Sequence, residues 1–288
     1  MRAPAGYTPG MRPLVFLVAV LLVSGCGEGA AALAVDGGAT IDAASPDLAP
    51  PPDLRRIIDD DVDGLDDIQE MAWAAAYLPF LSISPGDGCD TMGLLVRVRP
   101  HPKDPMLVHI LYNQLYDRDC GIGGHAGDDE VFGVTVDPSK PPPDGILAIR
   151  AISHQGTACE RKSDCGKCPG QKPCTTLPYN GKAWPAIWPS RDKHGSYVNR
   201  QTTCTLLTTC FDTCEDRMAY PMPPMVNAGE PGHPLVHDLT TEGFITMANG
   251  WKENVLFNFD PWVDKDFGGG GSLAKDLVDT AFETPACR

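Results

Sequence analysis

Gly93-Leu-Leu-Val-Arg-Val98, Met106-Leu-Val-His-Ile-Leu-Tyr112, Val131-Phe-Gly-Val-Thr-Val136 and Ile146-Leu-Ala-Ile-Arg-Ala-Ile152 are short apolar runs, rich in β-branched residues and bounded by Gly, Pro, Asn or Asp. Runs of this length between turn-forming residues read as strands. Ala183–Trp188 and Val255–Phe259 read the same way. The clearest helical stretch is Ile68–Leu81, which is Ala-rich and ends near Pro79. Strands and helices do not alternate regularly, which disfavours a doubly wound parallel sheet. The expected fold is mainly β: a disulfide-stapled antiparallel β-sandwich with one or two peripheral helices. The 28 prolines and 30 glycines imply long irregular loops that the disulfides hold down.

The N-terminus gives an address. Arg2 and Arg12 precede an apolar stretch over residues 13–24, which is shorter than the ~20 residues needed to cross a bilayer. It ends in Val23-Ser24-Gly25-Cys26, the order of a lipoprotein signal peptide with a lipobox. Residues 1–25 are expected to be removed and Cys26 to carry the lipid. The chain would then sit in a bacterial cell envelope, anchored to the membrane rather than embedded in it, with the outer membrane as the expected location. Gly27 follows the cysteine, so no aspartate there argues for retention in the inner membrane.

Residues 26–56 are rich in Ala, Gly, Asp and Pro, with Ala49-Pro50-Pro51-Pro52 near the end. This composition cannot bury a core and is expected to form a disordered tether. Residues 57–70 read as a calcium-binding loop and 71–288 as the β-sandwich domain. The chain carries 23 basic and 38 acidic side chains, a net charge of −15. Loss of residues 1–25 removes two arginines and no acid, so the exported chain is more acidic still. That sign excludes nucleic acid as a natural partner and suits divalent cations. Nothing in the sequence fixes an oligomeric state. After Cys26 come ten cysteines, read in an oxidising compartment as up to five disulfides of undetermined pairing. The competing reading is zinc, because Cys165-Gly-Lys-Cys168 has ligand-like spacing.

Asp59-Asp-Asp-Val-Asp-Gly-Leu-Asp-Asp-Ile-Gln-Glu70 matches the calcium-loop pattern D-x-D-x-D-G-x5-E. Calcium takes six to eight oxygens, so alternate carboxylates from Asp59, Asp61 and Asp63 turn inward. The Leu65 carbonyl adds another oxygen, and Glu70 can bind through both of its own. Gly64 permits the sharp turn. Asp66 stands where an ordinary EF-hand carries a hydrophobic residue, and no upstream helix is evident. The loop therefore looks more like the single extracellular D-x-D-x-D-G-x-x-D loops of thrombospondin type 3 and dockerin-like repeats. The bland alternative is a solvated acidic linker. The expected role of the cation is structural, stiffening the joint between tether and domain.

A second constellation lies at Gly124-His-Ala-Gly-Asp-Asp-Glu130, just before the strand VFGVTV. Asp128 and Glu130 are two apart and face the same side of a strand. With His125 they point to a divalent cation, Ca2+ or Mg2+, rather than to zinc, whose catalytic sites hold more histidines. His233 and His237 fall in a Pro-rich loop, and Trp184, Trp188, Trp251 and Trp262 read as core or loop anchors. No G-x-S-x-G elbow is present, and Ser153, Ser190 and Ser196 have no triad context.

The string His125-Ala-Gly-Asp-Asp-Glu-Val-Phe-Gly-Val-Thr-Val136 resembles the H-x-G-D-W-E-x-V-T-V core of the vacuolar protein sorting-associated protein 62 family. It also resembles the G-H-R-H-D-W-E heptad of the necrosis- and ethylene-inducing-peptide-like (NLP) toxins. Ala74–Pro79 is similar to the R-Y-A-P segment of the first family, and Ile152-Ser153-His154 falls where these proteins carry a strand ending in a histidine. Pro185–Tyr197 is similar to their P-V-V-Y-V-A-L-G-S-H-A-S-Y. The resemblance spans roughly residues 70–200. It implies a β-sandwich, a divalent cation held by Asp117, His125, Asp128 and Glu130, and, from the toxins, binding to sphingolipid head groups. His154 and His194 would face the ligand. Asp129 in place of tryptophan and Gly127 in place of the second histidine weaken any carry-over of cytolytic activity.

Three functions are therefore carried forward. The first is a lipid-anchored module that binds a lipid head group or glycan at a divalent-cation site. The second is a metal-dependent hydrolase of phosphoesters or glycans, and the third a purely structural envelope lipoprotein.

Overall fold

A computed structural model gives the fold and describes residues 57–89, 91–199, 212–215, 218–219, 223–237, 260–263 and 273–287. Cys26, the tether, the run Val255–Phe259 and the cysteines at 204 and 210 lie outside these residues. Among the described residues, no helix is long and apolar enough to cross a membrane.

The four runs quoted first form the middle of a six-stranded sheet. They lie in β2 (Thr91–His101), β3 (Asp104–Arg118), β4 (Ala126–Val136) and β5 (Ile146–Ser153), joined antiparallel in chain order. The sheet is completed by β6 (Arg161–Gly166), antiparallel to β5, and by β11 (Met225–Asn227), parallel to β2. A second sheet is built from β1 (Phe80–Ile83), β7 (Thr176–Tyr179), β8 (Lys182–Pro189), β9 (Ser196–Tyr197) and β10 (Met218–Ala219). Its β1–β8 pair is parallel and the rest antiparallel. A small ladder joins β12 (Gly229–Glu230) to β13 (His233–Pro234). The mainly β, disulfide-stapled sandwich expected from sequence is thus the observed architecture.

Strand parity explains why these runs look almost continuously apolar. Leu94, Val96, Val98, Ile110, Tyr112, Phe132 and Val134 face the second sheet and form the main core with Leu81, Ile83 and Ile187. Their neighbours Leu95, Leu111, Leu115, Val131 and Ile152 face the other way and are buried too. A sheet covered on both faces carries apolar residues at consecutive positions. The outer cover is α2 (Leu273–Val278), a 3-10 turn at Thr280–Phe282, and the extended residues after it. Gly133 interrupts the strand pattern for a steric reason: a Cβ there would lie 2.2 Å from the Phe282 carbonyl oxygen.

The expected helix is shorter than Ile68–Leu81. α1 spans Asp67–Ala76, and Phe80–Ile83 is strand β1. Pro79 has no backbone N–H to continue the helix and disfavours helical geometry at the residue before it. At the other end, Asp66 is the N-cap, its side chain accepting from the Gln69 N–H at 3.0 Å. A capping aspartate accounts for the polar residue at this loop position. β3 runs on past its apolar run through Asn113, Gln114, Tyr116 and Asp117, which are buried. Asn113 Nδ2 donates to Asp129 Oδ2 at 3.0 Å and Gln114 Nε2 to Ser196 Oγ at 2.8 Å. β6, Arg-Lys-Ser-Asp-Cys-Gly, has no apolar alternation and is set by its pairing with β5.

Cysteine pairing settles the zinc question at Cys165 and Cys168. They belong to different disulfides, Cys165–Cys174 and Cys168–Cys287, so neither sulfur is a thiolate donor. A third bridge joins Cys89 to Cys120, and Cys159 and Cys214 are disulfide-bonded as well. The Cys168–Cys287 bridge pins the C-terminal cover. Arg97 Nη1 donates to the Leu277 carbonyl at 2.7 Å, Arg150 Nη1 to the Glu283 carbonyl at 2.7 Å, and His101 Nε2 lies 2.8 Å from the Thr284 carbonyl.

Cys168→Ser/Cys287→Ser should lower stability by about 2–5 kcal/mol, because the bridge closes a long loop. Chemical denaturation of the oxidised proteins measures this. A midpoint equal to that of wild type would mean that the hydrogen bonds alone hold the outer cover.

Candidate functional site

The acidic loop folds back on itself before α1. Asp59 Oδ1 and Oδ2 accept from the backbone N–H groups of Asp63 and Gly64, both at 3.1 Å. Asp63 Oδ1 accepts from Leu65 N–H at 2.7 Å, and Asp67 Oδ2 from Asp60 N–H at 3.1 Å. Gly64 takes φ +94°, the left-handed conformation that glycine adopts freely. Glu70, on the first turn of α1, accepts from Asn227 Nδ2 at 2.6 Å through Oε2. In Asp63, Asp67 and Glu70 the opposite carboxylate oxygen is left turned inward.

Those inward oxygens have no hydrogen-bond donor. Asp61 Oδ1 and Oδ2, Asp63 Oδ2, Asp67 Oδ1 and Glu70 Oε1 are all buried without a partner. Asp61 is 1% exposed and Glu70 0%. Ligating atoms of Asp61, Asp63 and Glu70 lie within 4.8 Å of one another, as do those of Asp59, Asp61 and Asp67. Burial, then the charges of Asp63 and Asp67, pushes the Asp61 carboxyl up to about 7. Burial, then Asp63 and Asp61, pushes Glu70 up to about 9. Buried carboxylates that repel one another and lack donors fit a divalent cation, which supplies the missing charge and accepts oxygen ligands. These groups could hold a metal ion.

Asp61 is shared by two groups, one with Asp63 and Glu70 and one with Asp59 and Asp67, and Leu65 packs its side chain on the main core. Sequence reasoning left out Asp67, although it occupies the final aspartate of the D-x-D-x-D-G-x-x-D form. It also left out Asn227, which carries no local signal because it lies 157 residues from Glu70.

The second constellation is arranged differently. Tyr116 pairs with Asp128 and Gln114 with Glu130 across the β3–β4 ladder. Residues opposite one another share a face, so Asp128 and Glu130 sit on the face of Tyr116. Asp117, one residue on, falls on the opposite face with Asp129. Asp128 instead meets His194, whose Nδ1 lies 2.6 Å from Asp128 Oδ2. His194 Nε2 lies 3.4 Å from Asp87 Oδ1, and its ring stacks on Tyr116 at 3.6 Å between centroids. Burial alone would lower the imidazole, but hydrogen bonds and charge from Asp128 and Asp87 outweigh it and hold it at about 9. His194 is therefore an imidazolium at neutral pH, fully buried between two carboxylates. Asp87, Cys89 and His194 are close enough to suggest a metal, but the Cys89 sulfur is already in a disulfide.

His125 lies at the half-exposed start of β4, with Nδ1 2.7 Å from the Gly127 carbonyl and Nε2 4.0 Å from Asp119 Oδ2. Glu130 is half-buried. Burial, followed by the charges of Asp128, Asp129 and Asp212, holds its carboxyl well above the usual range. Asp212 is wholly buried, accepts from the Tyr197 hydroxyl, and lies 2.8 Å from His154 Nε2. Its Oδ1 has no partner. The ligating atoms of Asp117, His125, Asp128 and Glu130 do not form a group within 4.8 Å among the described residues. Asp87 and Asp212 carry no sequence signal, each lying far along the chain from the histidine it meets.

No protein-family model matches the chain, and no curated protein matches it. The vacuolar protein sorting-associated protein 62 family therefore finds no support. Solved structures that match are of the NLP toxin type. One, described as "Toxin fold for microbial attack and plant defense", is 16% identical, with 54% of this chain and 72% of that chain covered at a TM-score of 0.30. NLPPya in complex with glucosamine is 17% identical, with 55% and 72% covered at a TM-score of 0.31. NLPPya in complex with mannosamine is 16% identical, with 55% and 73% covered at a TM-score of 0.30. The likeness is distant and assigns neither ligand nor activity.

Without divalent cations, the raised carboxyls of Asp61 and Glu70 make stability fall with pH. The folded chain holds protons that the unfolded chain has already released, so stability is greatest below the ordinary carboxylate range near 4 to 4.5 and declines as pH rises to about 9. Melting temperatures in chelator across that range should show the decline, and a saturating divalent cation should flatten it. A cation-independent profile would mean that protons alone neutralise the loop.

Proposed function

We propose that this protein is an exported, lipid-anchored binding module whose N-terminal loop carries calcium. The observation that carries the reading is the set of five buried, donor-less carboxylate oxygens on Asp61, Asp63, Asp67 and Glu70. Together with Asp59 and the Leu65 carbonyl, these residues offer the six to eight oxygens that calcium takes. Magnesium, which retains several waters and rarely sits in an all-protein cage, suits so many carboxylates less well. The lipobox order at Cys26 and the oxidised cysteines support export to an oxidising compartment.

The ligand site we assign is the rim at half-buried Glu130, with the buried Asp212 behind it. Its carboxylates suit a hydroxyl-rich ligand bearing an ammonium group, as in an amino sugar or an amine-bearing lipid head group. No second cation is required there, because β3–β4 register turns Asp117 away and His194 already neutralises Asp128. The hydrolase reading is weaker: a buried imidazolium cannot take a proton from water. Hydrolysis of amino-sugar or phosphoester substrates that disappears in Glu130→Gln would reverse that ranking.

Calorimetric titration should find one calcium per chain, with affinity at least about tenfold weaker in Asp61→Asn. Unchanged binding in that variant would remove the loop from the reading. Glucosamine and vesicles containing phosphatidylethanolamine should then bind wild type more tightly than Glu130→Gln. Equal binding by both proteins would dissociate the rim from ligand recognition.

A further inference from the structure

We propose that the cation loop is a clasp for edge strand β11, and that Asn227 is the positioning residue that couples the two. The inference rests on the loop holding a divalent cation and concerns what that cation controls.

β11 is a precarious element by itself. It pairs over only three residues, Met225 with Leu94, Val226 with Leu95 and Asn227 with Val96. Among the described residues it lies at the sheet edge, with a strand neighbour on one side of its backbone only. Parallel pairing is slightly less stable per residue than antiparallel. The deepest side-chain anchor of this strand is Asn227, which is 5% exposed. Its Nδ2 donates to Glu70, and its Oδ1 accepts from Gly229 N–H at 3.1 Å, which starts β12. One amide thus ties the cation loop to both short strands.

Asn227 holds Glu70 through Oε2, and the opposite oxygen, Oε1, is buried in the acidic loop without a hydrogen-bond partner. Ligating atoms of Glu70, Asp61 and Asp63 lie within 4.8 Å of one another, so a cation drawn into that group would fix the Glu70 side chain that Asn227 holds. Glu230, on β12, makes the dependence sharper, since its charge also bears on Asp61 and Asp63. Arg97 answers part of it, with Nε 2.8 Å from Glu230 Oε1 and a second contact to Oε2. With the cation in place, the acids are neutralised and β11–β12 is drawn onto the loop. Without it, the same acids repel Glu230 and weaken the Glu70 anchor. Strand docking and cation affinity are then linked reciprocally: each must strengthen the other.

Hydrogen exchange on the full chain, in calcium and in chelator, tests this. Amides of residues 225–230 should be at least tenfold better protected in calcium, while amides in the middle of β4 and β5 change little. In Asn227→Ala, calcium should bind about tenfold more weakly or worse, as when an outer partner of a metal ligand is removed. At saturating calcium, that variant should show no calcium-dependent gain at 225–230. A merely structural asparagine would lower protection equally in calcium and chelator, which overturns the coupling. The wild-type comparison stands even if the variant fails to fold. Calcium that binds wild type without altering exchange at 225–230 overturns the clasp and leaves the calcium site intact. Absence of calcium binding to wild type overturns both.

Discussion

A sheet with apolar side chains on both faces must be covered twice, and that requirement organises this molecule. On the inner face of β2–β5 the second sheet and α1 complete the core. On the outer face α2, the 3-10 turn and the final residues do so. The outer cover is thin, so it is fastened by polar means. Arg97, Arg150 and His101 reach to its carbonyl oxygens, and Cys168–Cys287 closes its end. Arg97 also holds Glu230, so a single guanidinium joins the outer cover to the β12–β13 ladder and thence to the acidic loop.

The two acidic centres solve the same electrostatic problem in opposite ways. At the β4 rim, the counter-charge to Asp128 and Asp87 is internal: a protonated histidine stacked on Tyr116. In the loop before α1 no basic side chain among the described residues donates to the inward oxygens, an arrangement that suits a counter-charge taken from solution. The first arrangement is complete within the chain, whereas the second depends on what the surroundings supply. This contrast is why we propose metal binding at the loop and polar recognition at the rim.

Much of this was legible in the sequence. Strands β2 to β5 of the large sheet were readable because their apolar runs are bounded by turn residues, and the grouping of the loop carboxylates because their spacing turns them toward one another. What was hidden is long-range. Asp117 looked equivalent to Asp128 and Glu130 until the pairing of Tyr116 with Asp128 fixed its parity. His194 read as ligand-facing because nothing near it in the chain announces Asp87 and Asp128 as its partners. β6 escaped because its sequence is polar and its place is set by β5. The helix was drawn too long because its apolar pattern continues smoothly into β1 beyond Pro79.

The contact between Glu70 and Asn227 spans 157 residues. Contacts so distant in sequence require closing a long loop, and chains dominated by them fold slowly. The acidic loop, although local in sequence, has one of its contacts, Glu70 with Asn227, on a strand that pairs with β2. A cation that prefers the finished site would contribute little to the folding barrier and act mainly on escape from the native state. If the chain is exported as proposed, that amounts to persistence: the metal would lengthen the lifetime of the folded chain without hastening its formation.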